Sequence, residues 1–223
     1  LWVYSGGTAS DTEVLSSGTA TADFKGTLKG VTVASGGCVS AVNQGIVSCM
    51  DIQPGGQALA YNGAKAVSAT VSGTLSVSSN AVLSTAHILS GGTVSARRGC
   101  TARDIGVDGG RLFLYEYCEA SGLDIGSGGS AALAEMTSAE GIVLSSGASC
   151  TASSYVALSG VTVSEGGRLF LWANTSATDV TVESGGSLAV GSGCTAANVT
   201  SAEGAVIAVS DGGHVEYAEQ GGI

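Results

Sequence analysis

The stretch Ser164-Glu-Gly-Gly-Arg-Leu-Phe-Leu-Trp-Ala-Asn-Thr-Ser-Ala-Thr-Asp-Val-Thr-Val182 decides how this chain folds. Gly166 and Gly167 mark a turn, after which Leu169 and Leu171 alternate with Phe170 and Trp172. A second polar turn follows, and Val180-Thr181-Val182 closes the unit. Strict alternation over four to six residues is the pattern of a strand with one buried face, because a period of two cannot serve a helix. The same unit then recurs along the whole chain. Gly-Gly pairs stand at Gly36-Gly37, Gly55-Gly56, Gly91-Gly92, Gly109-Gly110, Gly128-Gly129, Gly166-Gly167 and Gly185-Gly186, with reduced versions at Gly18, Gly73, Gly147 and Gly204. A fixed period of this size means that no unit buries its own apolar face, so each must stack on its neighbours.

Aligned on those glycines, the chain divides into about twelve units: a partial one at 1–14, then 15–33, 34–52, 53–71, 72–88, 89–106, 107–125, 126–144, 145–163, 164–182, 183–200 and 201–223. The alternation assigns an inside and an outside. Leu112 and Leu114, Cys150 and Ala152, Leu169 and Leu171, and Leu188 and Val190 are expected to point inward. So are Leu123 and Ile125, Val161 and Val163, and Val180 and Val182. Asp23, Ser95, Arg97, Thr151 and Ser153 occupy the intervening places and are expected in water. Ala9, Ala66, Ala102, Ala120, Ala177 and Ala196 fit one narrow inner place. The expected fold is all-β: a parallel β-solenoid of about twelve coils of 18–19 residues, each coil a strand, a turn, a strand and a turn. Gly falls too often for helices, and no 3.6-residue stripe survives ten residues. The six-residue apolar period of a left-handed hexapeptide helix is absent.

Composition sets further bounds. The continuous repeat argues for a single solenoid domain over 1–223, without a linker. A single proline, Pro54, and the absence of long charged runs argue against disorder despite the Gly and Ser content. No apolar stretch is long enough to span a membrane. The chain starts in mid-unit at Leu1-Trp2-Val3-Tyr4 without Met and stops after a Gly-Gly at Ile223, as expected of a piece of a longer array. Its ends at Leu1 and Ile223 are expected to expose unpaired ladders that invite end-to-end pairing.

Charge is lopsided. Residues 1–111 hold seven Lys and Arg against six Asp and Glu (net +1), and residues 112–223 hold one Arg against twelve acids (net −11). The acidic half should repel nucleic acid and anionic membranes. Arg97, Arg98, Arg103 and Arg111 form a local basic cluster that reads either as a solvated face or as a place to hold an anion.

The six cysteines form no CxxC or framework spacing. Cys100 and Cys118 align at equivalent turn positions of adjacent coils, with Cα atoms about 5 Å apart, which permits a disulfide. Cys150 reads as a small core hydrophobe; Cys38, Cys49 and Cys194 have no stacked partner in the alignment. His87 and His214 stand far from each other and from any Cys pair, so no metal site is expected, and no cofactor motif is present.

The units resemble the strand-loop-strand repeats of bacterial autotransporter passengers, especially AIDA-type adhesins. The likeness is carried by Ser5-Gly6-Gly7-Thr8-Ala9-Ser10, Leu89-Ser90-Gly91-Gly92-Thr93-Val94, Gly160-Val161-Thr162-Val163 and Glu183-Ser184-Gly185-Gly186, and it extends over the whole chain. It implies export and display at the bacterial surface, and either attachment to host or bacterial surface glycans or proteins or self-association. It also implies sugar attachment to Ser and Thr by a dedicated glycosyltransferase. Passengers of this type are usually poor in Cys, and this chain departs from them there.

A second, longer period is laid over the first. The outward seventh and ninth places are large in every third coil: Trp2 and Tyr4, Leu59 and Tyr61, Phe113 and Tyr115, Phe170 and Trp172. Three coils span about 14 Å, so one lateral face should carry a regularly spaced aromatic pair able to stack on sugar rings or anchor a partner. The other readings are that the aromatics merely cover the ladder after duplication of a three-coil block, or that a loop or an adjoining segment packs over them. The expected binding residues are therefore Trp2, Tyr4, Tyr61, Phe113, Tyr115, Phe170 and Trp172, with no catalytic residue. A glycan-depolymerising β-helix enzyme is the competing reading, but it needs clustered acids in a cleft. Its only nearby acidic pairs are Glu116 with Glu119 and Glu135 with Glu140, in or beside turns. A phage-like receptor-binding rod is the third.

Overall fold

The computed structural model describes residues 1–219. Those residues form 24 strands and no helix, arranged as two 12-stranded parallel sheets, one of short strands and one of seven-residue strands that ends on the four-residue strand His214–Tyr217. Each coil gives one strand to each sheet. Every strand therefore pairs with its counterparts in the coils before and after it, as a parallel solenoid requires. Coils are numbered 1 to 12 by their short strands, so coil 7 holds Arg111–Leu114 and Glu119–Ile125, and coil 10 holds Arg168–Leu171 and Ser176–Val182. The expected open ladder at Ile223 lies outside the described residues.

The quoted unit shows why the chain folds this way. Leu169, Leu171, Ala177, Val180 and Val182 are all buried, and the first four align with buried residues of the next coil, as Leu169 with Leu188 and Val180 with Val199, while Val182 meets the exposed Ser201. Burying a Leu or Val side chain contributes about 1.5–3 kcal/mol, and no coil collects that contribution alone. At the Gly-Gly corner, Gly166 adopts φ 73°, and the Gly167 N–H donates to Ser164 O at 2.9 Å. A Cβ on Gly167 would lie 2.6 Å from Leu144 O of the coil below. The repeat's glycines are thus demanded by the close approach of stacked corners.

Two differences from the sequence pattern matter. The long strand does not run straight: its fourth residue is left-handed in coil after coil, as Asp11, Asp104, Asp179 and Asn198 at φ 53–54° and Gly122, Gly141 and Gly160 at φ 60–66°. The register passes over that residue, from Thr178↔Ala197 to Val180↔Val199. Coils 1 to 11 therefore have a third corner; Asp, Asn and Gly, which tolerate this region best, take most of these places, and Cys49, Ser68 and Thr85 take the rest. Coil length also varies only at the Gly-Gly corner. Short strands start 19 residues apart from Thr19 to Val206, except 17 between Gln57 and Thr74 and 18 between Thr93 and Arg111.

Asp23, expected in water, is 6% exposed. Its Oδ1 accepts from the Phe24 N–H at 2.8 Å and from Asn43 Nδ2 at 2.9 Å, and Asn62 Nδ2 continues the ladder to Asn43 Oδ1 at 3.4 Å. The alternation placed it outward; an amide ladder on the neighbouring corner folds over it and satisfies the carboxylate.

Candidate functional site

The outward large residues fall on common columns of the short-strand sheet. Trp2 aligns with Thr21, Ser40 and Leu59; Leu59 with Ser76, Ser95 and Phe113; Phe113 with Ala132, Thr151 and Phe170. A large side chain therefore recurs at every third rung, about 14 Å apart, with Ser, Thr or Ala between. Trp2, Tyr4, Tyr61 and Trp172 are exposed, whereas Phe113, Tyr115 and Phe170 are partly buried.

The pairs are built differently. Trp2 and Tyr4 stack at 5.4 Å with their planes 1° apart, and Tyr4 stacks in turn on Phe24 at 6.5 Å. Phe113 and Tyr115 stack at 6.1 Å, and the Arg97 guanidinium lies 5.5 Å over the Tyr115 ring. Partial burial raises the Tyr115 phenol above its usual range; Arg97 opposes the shift and Glu135 adds to it. Trp172 lies over coil 11, where a Cβ on Gly191 would sit 2.6 Å from the indole Cε3. Gly191 is the bare rung that lets the indole lie down.

The basic cluster is divided among separate tasks. Arg97 covers Tyr115, Arg98 pairs with Glu116 at 3.5 Å on the surface, and Arg103 lines a trough on the long-strand sheet. That trough, about 430 Å³, also takes in Glu119 and Glu140, while Glu116 and Glu135 stand on the corner beside it.

The corner between short and long strand holds apolar side chains that the Gly-Gly alignment did not single out. Its third residue is Gly63, Asn80 and Gly99 in coils 4 to 6, then Tyr117, Met136 and Tyr155 in coils 7 to 9. These three are 66%, 52% and 61% exposed, at φ 64°, 61° and 64°. Each donates its N–H to the corner of the following coil: Tyr117 to Glu135 O, Met136 to Ser154 O and Tyr155 to Ala173 O, at 3.0–3.1 Å. Aligning the chain on this corner rather than on the glycines would have revealed them.

The fourth residue of the same corner faces inward and forms a buried column that includes Cys100, Cys118, Thr137, Val156, Thr175 and Cys194. Its Cys and Thr side chains close the turn by donating back to the corner's first carbonyl: Cys100 to Arg97 O at 2.8 Å, Cys118 to Tyr115 O at 2.9 Å, Thr137 to Ala134 O and Thr175 to Trp172 O at 2.7 Å. Cys100 and Cys118 occupy consecutive rungs, since the Glu119 N–H donates to Cys100 O. A hydrogen bond from Cys118 lowers the Cys100 thiol to about 7, and the same bond with burial raises Cys118. Cys150 is fully buried in the core, and desolvation pushes it up to about 12. Among the described residues no group of three or more His, Cys, Asp or Glu gathers where a metal ion could be held.

No family model matches the chain, and none of the curated proteins does. Among solved structures it is similar to one described as the crystal structure of a TibC-catalysed hyper-glycosylated TibA55-350 fragment. The TM-score is 0.71 with 21% identity, over 99% of this chain and 92% of that one. At that identity the likeness is one of fold: the two chains share a β-solenoid of nearly the same extent.

Proposed function

We propose that this chain is a single-domain adhesive rod, exported and displayed at the bacterial surface, that attaches to surface glycans or proteins through its outward aromatic columns. The observation that carries this reading is the recurrence of a large side chain at every third rung of one sheet, separated by Ser, Thr and Ala. The intervening Ser, Thr and Ala keep large side chains to one rung in three, so the rings form separate platforms rather than a continuous cover of the sheet. Rigid rings on a rigid ladder lose little entropy when they stack on a ligand. The net charge of −10 favours neutral or cationic partners over nucleic acid.

Two further elements belong to the same reading. The outward rows of Ser and Thr are acceptors for a glycosyltransferase, and the solved fragment of like fold is named for such a modification. Cys100 and Cys118 join as a disulfide on export: the two thiols give up two electrons and two protons to a dithiol oxidase, and an 18-residue loop closes between adjacent rungs. Intact-mass measurement after native expression reads both, as added hexose or heptose units and as a loss of two hydrogens.

The decisive test is Trp172→Ala combined with Tyr115→Ala in the displayed rod. Attachment to cells should fall by an order of magnitude or more while the β-sheet circular dichroism stays the same. Unchanged attachment would sink the reading.

A further inference from the structure

On the long-strand sheet, coils 7 to 9 differ from their neighbouring coils on both borders of one face. Along one border stand Tyr117, Met136 and Tyr155, exposed and left-handed. Along the other, the third corner is reduced to Gly122, Gly141 and Gly160 in the same three coils, flanked by Asp104 below and Asp179 above. In each of these coils the apolar residue stands two positions before, and the glycine directly after, the residues that line the trough running from Thr101 in coil 6 to Ser176 in coil 10, so the two rows form a ridge and a lip at its margins. Four rung intervals make it about 19 Å long.

The left-handed conformation is costly for a bulky side chain, and neighbouring coils use Gly or Asn at the ridge position. Here the forward hydrogen bonds to the next coil hold the backbone in place, so the rings are presented rigidly. The floor between ridge and lip combines the hydroxyls and carboxylates of Glu119, Ser121, Ser138, Glu140, Ser159 and Thr178 with the apolar Ala157 and Leu158. Its one cation, Arg103, sits at the coil 6 end.

We propose that this trough binds an unbranched neutral oligosaccharide lying along the rod axis. The C–H faces of its sugar rings pack on Tyr117 and Tyr155, and its hydroxyls donate to Glu119 and Glu140 and exchange hydrogen bonds with the serines. Anionic sugars are excluded by those carboxylates together with Glu116 and Glu135 on the ridge. The site rests on the adhesive reading above but uses a different face, so the two fail separately.

The experiment titrates the full chain with neutral hexasaccharides (cellohexaose, maltohexaose, chitohexaose and mannohexaose), with a heparin hexasaccharide and hexalysine as contrasts, following backbone amide shifts by NMR. At least one neutral sugar should bind and shift the amides of coils 7 to 9. Tyr117→Ala with Tyr155→Ala should weaken it at least tenfold. Gly141→Asn, which the backbone tolerates as it does Asn198, should weaken it several-fold by raising the lip. Trp172→Ala with Tyr115→Ala should leave it unchanged, whatever that pair does to cell attachment. The proposal is overturned if no neutral sugar binds, if the ridge substitutions leave binding intact, or if heparin or hexalysine binds more tightly than every neutral sugar.

Discussion

The corner between short and long strand is the same piece of backbone in coils 2 to 4 and in coils 7 to 9, yet it carries opposite surfaces. In coils 2 to 4 it is stitched together by the Asp23–Asn43–Asn62 ladder, which buries a carboxylate, and its inward position is Gly26, Gly45 and then Ala64. In coils 7 to 9 the inward position is filled by Cys118, Thr137 and Val156, and the outward position bears Tyr117, Met136 and Tyr155. Both versions keep two consecutive left-handed residues, as Asn43 and Gln44 at φ 48° and 67° and as Glu116 and Tyr117 at φ 56° and 64°. The solenoid fixes the path of the corner through hydrogen bonds to the next coil, leaving the side chains free to differ. One version holds the stack together, and the other presents a surface.

The sharpest way to break the comparison is to exchange the inward residues. A Cβ on Gly45 would stand 2.1 Å from Ala22 O of the coil below, so Gly45→Val is expected to cost about 3 kcal/mol or more, read as a lowered unfolding midpoint by circular dichroism. Val156→Ala, on the same column of the other version, is expected to cost only about 1–2 kcal/mol as a small cavity.

Asn43→Ala removes the donor to the buried Asp23 carboxylate and is expected to cost about 1–3 kcal/mol, measured in the same way. Thr137→Val should cost about 1 kcal/mol. It deletes a buried hydroxyl that donates to Ala134 O at 2.7 Å and leaves that carbonyl without its side-chain donor. The smallest effect belongs to the ridge. Tyr117→Gly relieves a left-handed bulky residue but adds freedom to the unfolded chain, and the two offset to within about 0.5 kcal/mol. A large loss of stability there would mean that the ring is packed as structure and would erase the contrast between the two corners.

Much of the fold was legible because its cause is periodic. Leu169, Leu171, Val180 and Val182 announce their inward face by alternation, and Gly166-Gly167 announces the tight corner. The three-rung aromatic interval was legible for the same reason, since Phe113 and Phe170 sit inside identical Gly-Gly-Arg-Leu-Phe-Leu segments. Asp23 was misplaced because its burial comes from the next two coils, through Asn43 and Asn62, and no alternation records that. The third corner escaped because Asp179, lying between Thr178 and Val180, reads as an ordinary polar residue of a straight strand. The ridge escaped because Tyr117, Met136 and Tyr155 each look like a stray apolar residue in a polar turn.

The sequence by itself determined the stacking of coils, the sidedness of each strand and the acidity of the second half. These follow from period, alternation and charge, all of which are properties of the chain read along its length. Only the tertiary structure decided which residues 18 or 19 positions apart become neighbours across a rung. That step turned three isolated turn residues into one ridge and three glycines into one lip. Parallel stacking converts sequence separation into about 4.8 Å of space, and surfaces built in that direction exist only once the coils are in register.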